Sequence, residues 1–381
     1  MNKPFPSLIA FISVRVLIND ALQVLVHSVN TLMRTSIVKR LRGIPKFGCV
    51  IAALLMLPSI AFAGGVISNG VVKLGIDDAG NLVVADPTAV GTNTPGITGL
   101  TYLPSEGEAL GPGCACEGWG VADAITSRYG KAGATFGNAN IIVESFTATA
   151  TTAKSVVRVN DGSDLFRVTH EFSPSASANL FQVKVTIENI SGAATHVRYR
   201  RVMDWDVPPT EFDELTTVQS GSSSKVVFTS DDGFADGNPL AGPSEILFSG
   251  NATDSGPADH GALFDFDFGT LNAGASLSFV IFYGAAADQQ EAESALAAVN
   301  AEAYSLGKPD PAGVPAGTPD GGPNTFIFAF AGIGGSPIFP TNANTAAVPV
   351  PVGGGLWMPL LALSLAGLGA LGWRRCAAAR V

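Results

Sequence analysis

Between residues 165 and 205 apolar and polar side chains alternate with a period of two, and this pattern excludes most ways the chain could fold. Phe181, Val183, Val185 and Ile187 alternate with Gln182, Lys184, Thr186 and Glu188. Successive strand side chains point to opposite faces, so the pattern predicts a strand with one face buried. Phe166, Val168, His170 and Phe172 alternate with Leu165, Arg167, Thr169 and Glu171, and Ser173 to Asn179 reads as the hairpin loop between the two strands. Asn189-Ile190-Ser191-Gly192 turns the chain again into Val197, Tyr199, Arg201, Met203 and Trp205. Arg201 stands on the apolar face of that strand, which predicts a buried carboxylate partner. Phe264, Phe266 and Phe268 alternate with Asp265 and Asp267, and Ser276 to Tyr283 is apolar on both faces in its second half, as a central strand would be. Weaker strands are expected near 71–76, 141–146, 155–159, 225–229 and 245–248, with a last strand at 326–330.

One helix is expected. Asp288 suits its N-cap, Glu291 follows three residues later, and Leu296, Val299 and Ala303 keep helical spacing. Gly307 reads as its stop with Pro309 just beyond, and 308–324 as a Pro/Gly-rich loop. At least ten strands and one helix, with 44 glycines and 24 prolines to turn the chain, predict a mostly β protein. The architecture expected is a large antiparallel β-sandwich. The galactose-mutarotase-like supersandwich is an analogy in strand count and size alone. A triplet period and a heptad run are both absent, which excludes collagen and coiled coil, and four cysteines are too few for a disulfide scaffold.

Charge is distributed unevenly. Seven basic residues and one acid precede residue 64, and three arginines and no acid follow 345, which leaves 12 basic and 31 acidic residues between, a net charge of −19. Such a body is a self-repelling particle without the basic footprint of a nucleic-acid binder. From Met33 the chain reads as a secretory signal over 33–63. Its parts are a basic stretch from Arg34 to Lys46, an apolar run from Cys49 to Leu57, and Ala61-Phe62-Ala63 as the small-x-small cleavage site for signal peptidase. Residues 1–32 read as an early, mis-assigned start. Cleavage would leave Gly64 as the new N-terminus. At the other end, 353–373 carries no charge over 21 positions and is followed by Arg374 and Arg375. That is long enough for a transmembrane helix with the body outside and the arginines inside. The β domain is expected over 64–333, a linker over 334–347 and the tail over 348–381.

Three groups of residues could carry chemistry. Cys114 and Cys116 are the two cysteines left in the body, and in an oxidising compartment they are expected to close a small disulfide ring. Asp204 and Asp206 sit two apart on one strand and so share a face, with His196, Arg198 and Arg200 on that face if the strand is regular. They are either a catalytic carboxylate pair of the glycosidase kind or part of a row of charges in salt bridges. Asp231, Asp232, Asp236 and Asn238, among glycine turns, could hold calcium, although they lack EF-hand spacing and its final glutamate. The plainer reading is a solvated turn. No other cofactor is expected. His170 reads as a core histidine and His260 as the anchor of a turn. There is no G-x-S-x-G, H-E-x-x-H or phosphate-binding glycine loop.

Two resemblances extend this reading. Val348-Pro349-Val350-Pro351, the apolar run and Arg374-Arg375 together resemble the tripartite sorting tail of the PEP-CTERM class, with Val350 where the commonest form has glutamate. Trp357 is similar to a tryptophan near the helix start of a related variant tail. The resemblance implies handling by an exosortase-type membrane enzyme of Gram-negative bacteria, transient anchoring in the inner membrane, and a surface or extracellular destination. Gly113 to Asp123, Tyr199 to Asp206, Asp259-His260-Gly261-Ala262 and Asn324-Thr325-Phe326 resemble an extracellular domain of bacterial surface proteins that has no assigned activity. The expected function is therefore a non-enzymatic exported β protein with a structural or adhesive role, associated with polysaccharide. A carbohydrate-active enzyme on a supersandwich fold is the alternative.

Overall fold

The computed structural model describes residues 64–90, 92–244, 246–314 and 324–340. The segment 1–32, the signal with Ala61 and Ala63, and the sorting tail with its apolar run all lie outside them. The described chain enters through six short strands: β1 (Gly65–Ser68), β2 (Val72–Ile76), β3 (Val84–Ala85), β4 (Ile97–Thr98), β5 (Leu100–Tyr102) and β6 (Gly107–Glu108). Longer strands follow: β7 (Glu117–Asp123), β8 (Arg128–Gly133), β9 (Ile141–Ala148), β10 (Ala153–Asn160), β11 (Asp164–Pro174), β12 (Leu180–Asn189) and β13 (Thr195–Trp205). Then come β14 (Glu214–Gln219), β15 (Val226–Ser230), β16 (Ala252–Ala258), β17 (His260–Leu271) and β18 (Ser276–Ala286). Helix α1 (Gln289–Ala298), β19 (Ala303–Pro309) and β20 (Thr325–Ala331) complete the described chain. Among the described residues no helix is long and apolar enough to cross a membrane.

The protein is mostly β and its strand pairs are antiparallel, an architecture consistent with a β-sandwich. A nine-stranded sheet runs β16-β14-β19-β20-β18-β12-β11-β10-β9 and a five-stranded sheet runs β15-β17-β13-β7-β8. Four short strands, β1-β2-β5-β6, form a third sheet, and β3 pairs with β4. The alternation read from the sequence is the inside and outside of these sheets. Phe181, Val183, Val185 and Ile187 of β12 face the same core as Tyr199 and Met203 of β13. Phe264 and Phe266 on β17 meet Phe330 on β20 with ring centroids 4.9 and 4.8 Å apart, joining the two large sheets by aromatic contact.

The second apolar face of the central strands also has a covering. Ile327 and Ala329 of β20 and Phe282 of β18 pack with Ala292, Ala295 and Leu296 of α1 in a separate cluster. The continuous run Phe326 to Phe330 is thus buried on both faces, against the five-stranded sheet and under the helix. The helix begins where expected: Asp288 accepts a hydrogen bond from the Glu291 N–H at 2.8 Å.

The helix ends earlier than its spacing predicts. Asn300 adopts a left-handed φ of 54°, its N–H donates to Ala297 O, and the Ala301 N–H donates to Leu296 O. This is a Schellman stop, which satisfies the last carbonyls. Ala303 and Gly307 belong to β19, in the middle of the nine-stranded sheet. Gly307 is required there by contact, since a Cβ on it would stand 2.6 Å from Cδ2 of the Trp205 ring. The strand expected at 245–248 does not form. Leu247 and Phe248 N–H groups donate to Asp231 instead, and Ser249 makes an isolated bridge to Ser230. Beyond residue 333 the chain stays packed: Ile338 N–H donates to Ala301 O, and Phe339 lies 5.5 Å from the Tyr304 ring.

Arg201 has the buried partner its position demands. Its Nε donates to Glu117 Oε1 on β7, and both side chains are fully buried. Glu117 also accepts from Tyr283 Oη at 3.0 Å and from the Leu82 N–H at 2.6 Å, while Arg201 donates to Gly80 O. Removing one member of such a pair leaves the other charged and buried. Arg201→Met is therefore expected to cost about 3–5 kcal/mol in urea unfolding. The double variant Arg201→Met/Glu117→Gln should recover part of that loss. A single-variant loss below about 1 kcal/mol would mean that the pair does not hold the sheets together.

Candidate functional site

The site forms where β13 ends. Asp204 is the last residue but one of β13 and Asp206 the first beyond it. Their backbone N–H groups donate to Cys116 O and Ala109 O, each at 2.9 Å, which pins both to the segment leading into β7. In that segment Cys114 and Cys116 are joined in a disulfide. The Sγ of Cys114 stands 3.7 Å from Asp204 Oδ2, a contact without a proton to share.

The register of the neighbouring strand brings a third acid. Trp205 pairs with His260 at the start of β17, so one step further places Asp206 beside Asp259. Carboxylate oxygens of Asp204, Asp206 and Asp259 all lie within 4.8 Å of one another. Asp204 and Asp206 are buried and Asp259 is exposed. Glu214, fully buried at the start of β14, adds a fourth carboxyl nearby. Its Oε1 accepts from the Val207 and Phe212 N–H groups at 3.1 and 2.6 Å.

These acids differ from the other buried carboxylates in what they lack. Glu108 accepts from the Gly99, Leu100 and Leu110 N–H groups and from the Thr101 hydroxyl. Both carboxylate oxygens of Asp206, one of Asp204 and one of Glu214 have no hydrogen-bond partner. Among the described residues neither Asp204 nor Asp206 is ion-paired with a basic side chain. Burial, reinforced by Asp259, pushes the Asp204 carboxyl up to about 8. Burial with Asp204, Glu214 and Asp259 as neighbours pushes Asp206 up to about 9, and burial puts Glu214 at about 9 as well.

The row of salt bridges expected along β13 is built differently. A bulge between Val197 and Arg198 interrupts its pairing with β17. Arg200 pairs with Asp265 at 2.7 Å and also donates to the carbonyls of Asp236 and Ala241. His196 and Arg198 both pair with Asp267. The basic residues thus turn to β17 and leave Asp204 and Asp206 without them.

The 231–238 loop directs its acids at protein donors. Asp231 accepts from Leu247, Phe248 and His260 Nδ1, and Asp232 from Phe234 and Ser244. Asp236 pairs with Lys131, and Asn238 caps the turn at Leu240. His260 also reaches Glu214 O at 3.2 Å, so it holds this turn in place as its position suggested. His170 is buried with Nε2 3.4 Å from Tyr199 Oη, and burial holds its pKa well below the usual histidine range. Sequence reasoning passed over Asp259 and Glu214 as members of the acidic group, because β17 and β14 bring them in from elsewhere in the chain.

Carboxyls raised in the fold hold protons that the unfolded chain releases near pH 4. The folded state then binds more protons than the unfolded one between about pH 4 and 9, and stability falls as pH rises through that range. In the presence of a chelator, the melting temperature is expected to drop by roughly several degrees between pH 5 and pH 9. Asp206→Asn should flatten the slope. Circular-dichroism melts check this, and a flat or rising profile for the unsubstituted protein contradicts the assignment.

No family model matches the chain and no curated protein is similar to it, so the acidic group is interpreted from its own chemistry.

Proposed function

We propose that the chain is an exported β protein of the bacterial cell surface or extracellular matrix, with a structural or polysaccharide-associated role, delivered by its C-terminal sorting tail. One observation carries the reading. The first strand begins at Gly65, directly after the Gly64 that signal peptidase would leave as N-terminus, and Gly65 is already paired with Ile76. A chain beginning at Gly64 would keep this first strand whole. The Cys114–Cys116 disulfide is in keeping with an oxidising compartment. The resemblance of the tail to the PEP-CTERM class supplies the exosortase-type enzyme as processing partner, with transient anchoring in the inner membrane. The nine-stranded and five-stranded sheets sharing one core favour the supersandwich analogy over a single small sandwich.

The alternative, a carbohydrate-active enzyme, draws on Asp204, Asp206 and their raised pKa values. Two observations weigh against it. The acid oxygens lie within 4.8 Å of one another, tighter than the roughly 5–9 Å separations of glycosidase carboxyl pairs, and Asp206 is fully buried where a glycan would need to reach it. Sugar stacking needs exposed aromatic faces, and Phe212 is the one aromatic among the exposed large apolar residues described.

Mass spectrometry of the protein recovered from envelope and medium tests the leading reading. It is expected to find a mature N-terminus at Gly64 and the tail removed or modified behind Pro351. Full-length chain in the cytosolic fraction, beginning at Met1 or Met33, overturns it.

A further inference from the structure

The two buried acids beyond β13 pose a physical problem that the fold does not solve by itself. Asp206 is fully buried and neither of its oxygens is paired, and Asp204 keeps one oxygen unpaired beside it. A buried, unsatisfied polar atom is costly, and more so when charged, so three such oxygens together call for a shared partner. Burying them in mutual contact adds repulsion to that cost.

We propose that Asp204, Asp206 and Asp259 form a binding site for one divalent cation of the calcium class. The spacing fits. Calcium takes oxygen ligands at about 2.3–2.6 Å, so two oxygens on one ion lie at most about 5 Å apart, and the three carboxylates fall within 4.8 Å. The donor set is all oxygen. Among the described residues the soft donors nearby are the sulfurs of Cys114 and Cys116, and in their disulfide they are not thiolate ligands.

The surroundings hold the acids in place. Their backbone is fixed by the Cys116 and Ala109 carbonyls. Gly233 lies beside Asp204, where a Cβ would stand 2.7 Å from Oδ1, so the carboxylate keeps its place only against a glycine. Glu214 stands behind the group as a further buried carboxyl. A cation here joins the end of β13 to the start of β17, next to the disulfide, and fastens these two chain segments at one end of the five-stranded sheet.

The choice of calcium over zinc rests on the exported reading, because the sulfurs are oxidised there. The existence of the site does not. Isothermal titration of the full chain in mild detergent, disulfide intact and stripped with EDTA, tests both. Calcium chloride is expected to bind one ion per chain and to raise the melting temperature. Terbium bound in its place should luminesce on excitation of Trp205, the residue between the two buried acids. Asp206→Asn and Asp259→Asn should each weaken calcium binding by about tenfold or more, since each removes an anionic ligand. Asp206→Asn should melt no lower than the unsubstituted protein in EDTA, which shows that the loss is of binding and not of folding. Absence of binding by calcium, or binding unchanged in both variants, overturns the proposal. So does zinc binding that appears only after reduction, which would assign the group to Cys114, Cys116 and Asp204 instead. A cytosolic protein that still binds calcium at these acids would refute the location and leave the site standing.

Discussion

The Arg201–Glu117 ion pair is the contact on which the arrangement of the sheets depends. Arg201 lies on β13 and Glu117 on β7, in the five-stranded sheet. Tyr283 reaches Glu117 from β18 of the nine-stranded sheet, and Leu82 and Gly80 reach the pair from the segment between β2 and β3. Three parts of the body thus meet on two charges. A buried ion pair is no guarantee of stability, since its desolvation can outweigh the attraction. What distinguishes this one is that hydrogen bonds occupy both oxygens of Glu117 and the donors of Arg201, and the guanidinium lies 5.5 Å from the Tyr283 ring. Another packing of the sheets would leave the pair to itself, without the Tyr283 hydroxyl, the Leu82 N–H and the Gly80 carbonyl that complete its hydrogen bonds, so these contacts favour the arrangement seen.

The same strand shows the opposite case three residues further on. Arg201 is surrounded by complementary groups, while Asp204 and Asp206 are surrounded by acids and by carbonyls already in use. Strand β13 therefore carries a closed electrostatic account at its middle and an open one at its end. Arg200 could have balanced the acids but is held by Asp265 and two carbonyls, and His196 and Arg198 by Asp267. With the nearby cations engaged across the ladder, the deficit at the end of β13 is a property of the fold and not of one misplaced side chain.

Much of this was legible in the amino-acid order, and what was not has physical reasons. One-face alternation is set by burial, so β11, β12, β13 and β17 could be read directly, and the two-faced second half of Ser276 to Tyr283 pointed to the central strand β18. The start of α1 was readable because its cap is local. Its end was not, because Asn300 stops the helix where the spacing of Val299 and Ala303 suggests continuation, and Gly307 is a glycine for the sake of the Trp205 ring on another strand. Strand β7 was hidden because Gly118 and Gly120 break its alternation. They are small because backbone packs against them: a Cβ on Gly120 would meet Gly237 O at 2.1 Å. Composition drew attention to the 231–238 loop, with three acids among glycine turns, yet acids on a turn readily find backbone N–H groups. The oxygens left unpaired among the described acids of this group are those of Asp204, Asp206 and Glu214, at the end of β13 and the start of β14.

That difference bears on how the site would work. At a loop site, acids must be ordered by the ion, and the entropy of that ordering weakens binding. Asp204 and Asp206 are already placed by strand β13, by two backbone hydrogen bonds to the disulfide segment and by the close approach of Gly233. The short ring closed by Cys114 and Cys116 then has a role that its small loop-closure entropy would not provide on its own. It closes the turn whose Cys116 carbonyl accepts from the Asp204 N–H. Disulfide and carboxylates are in this sense one device, covalent on one side and ionic on the other, at the point where β13 leaves the sheet.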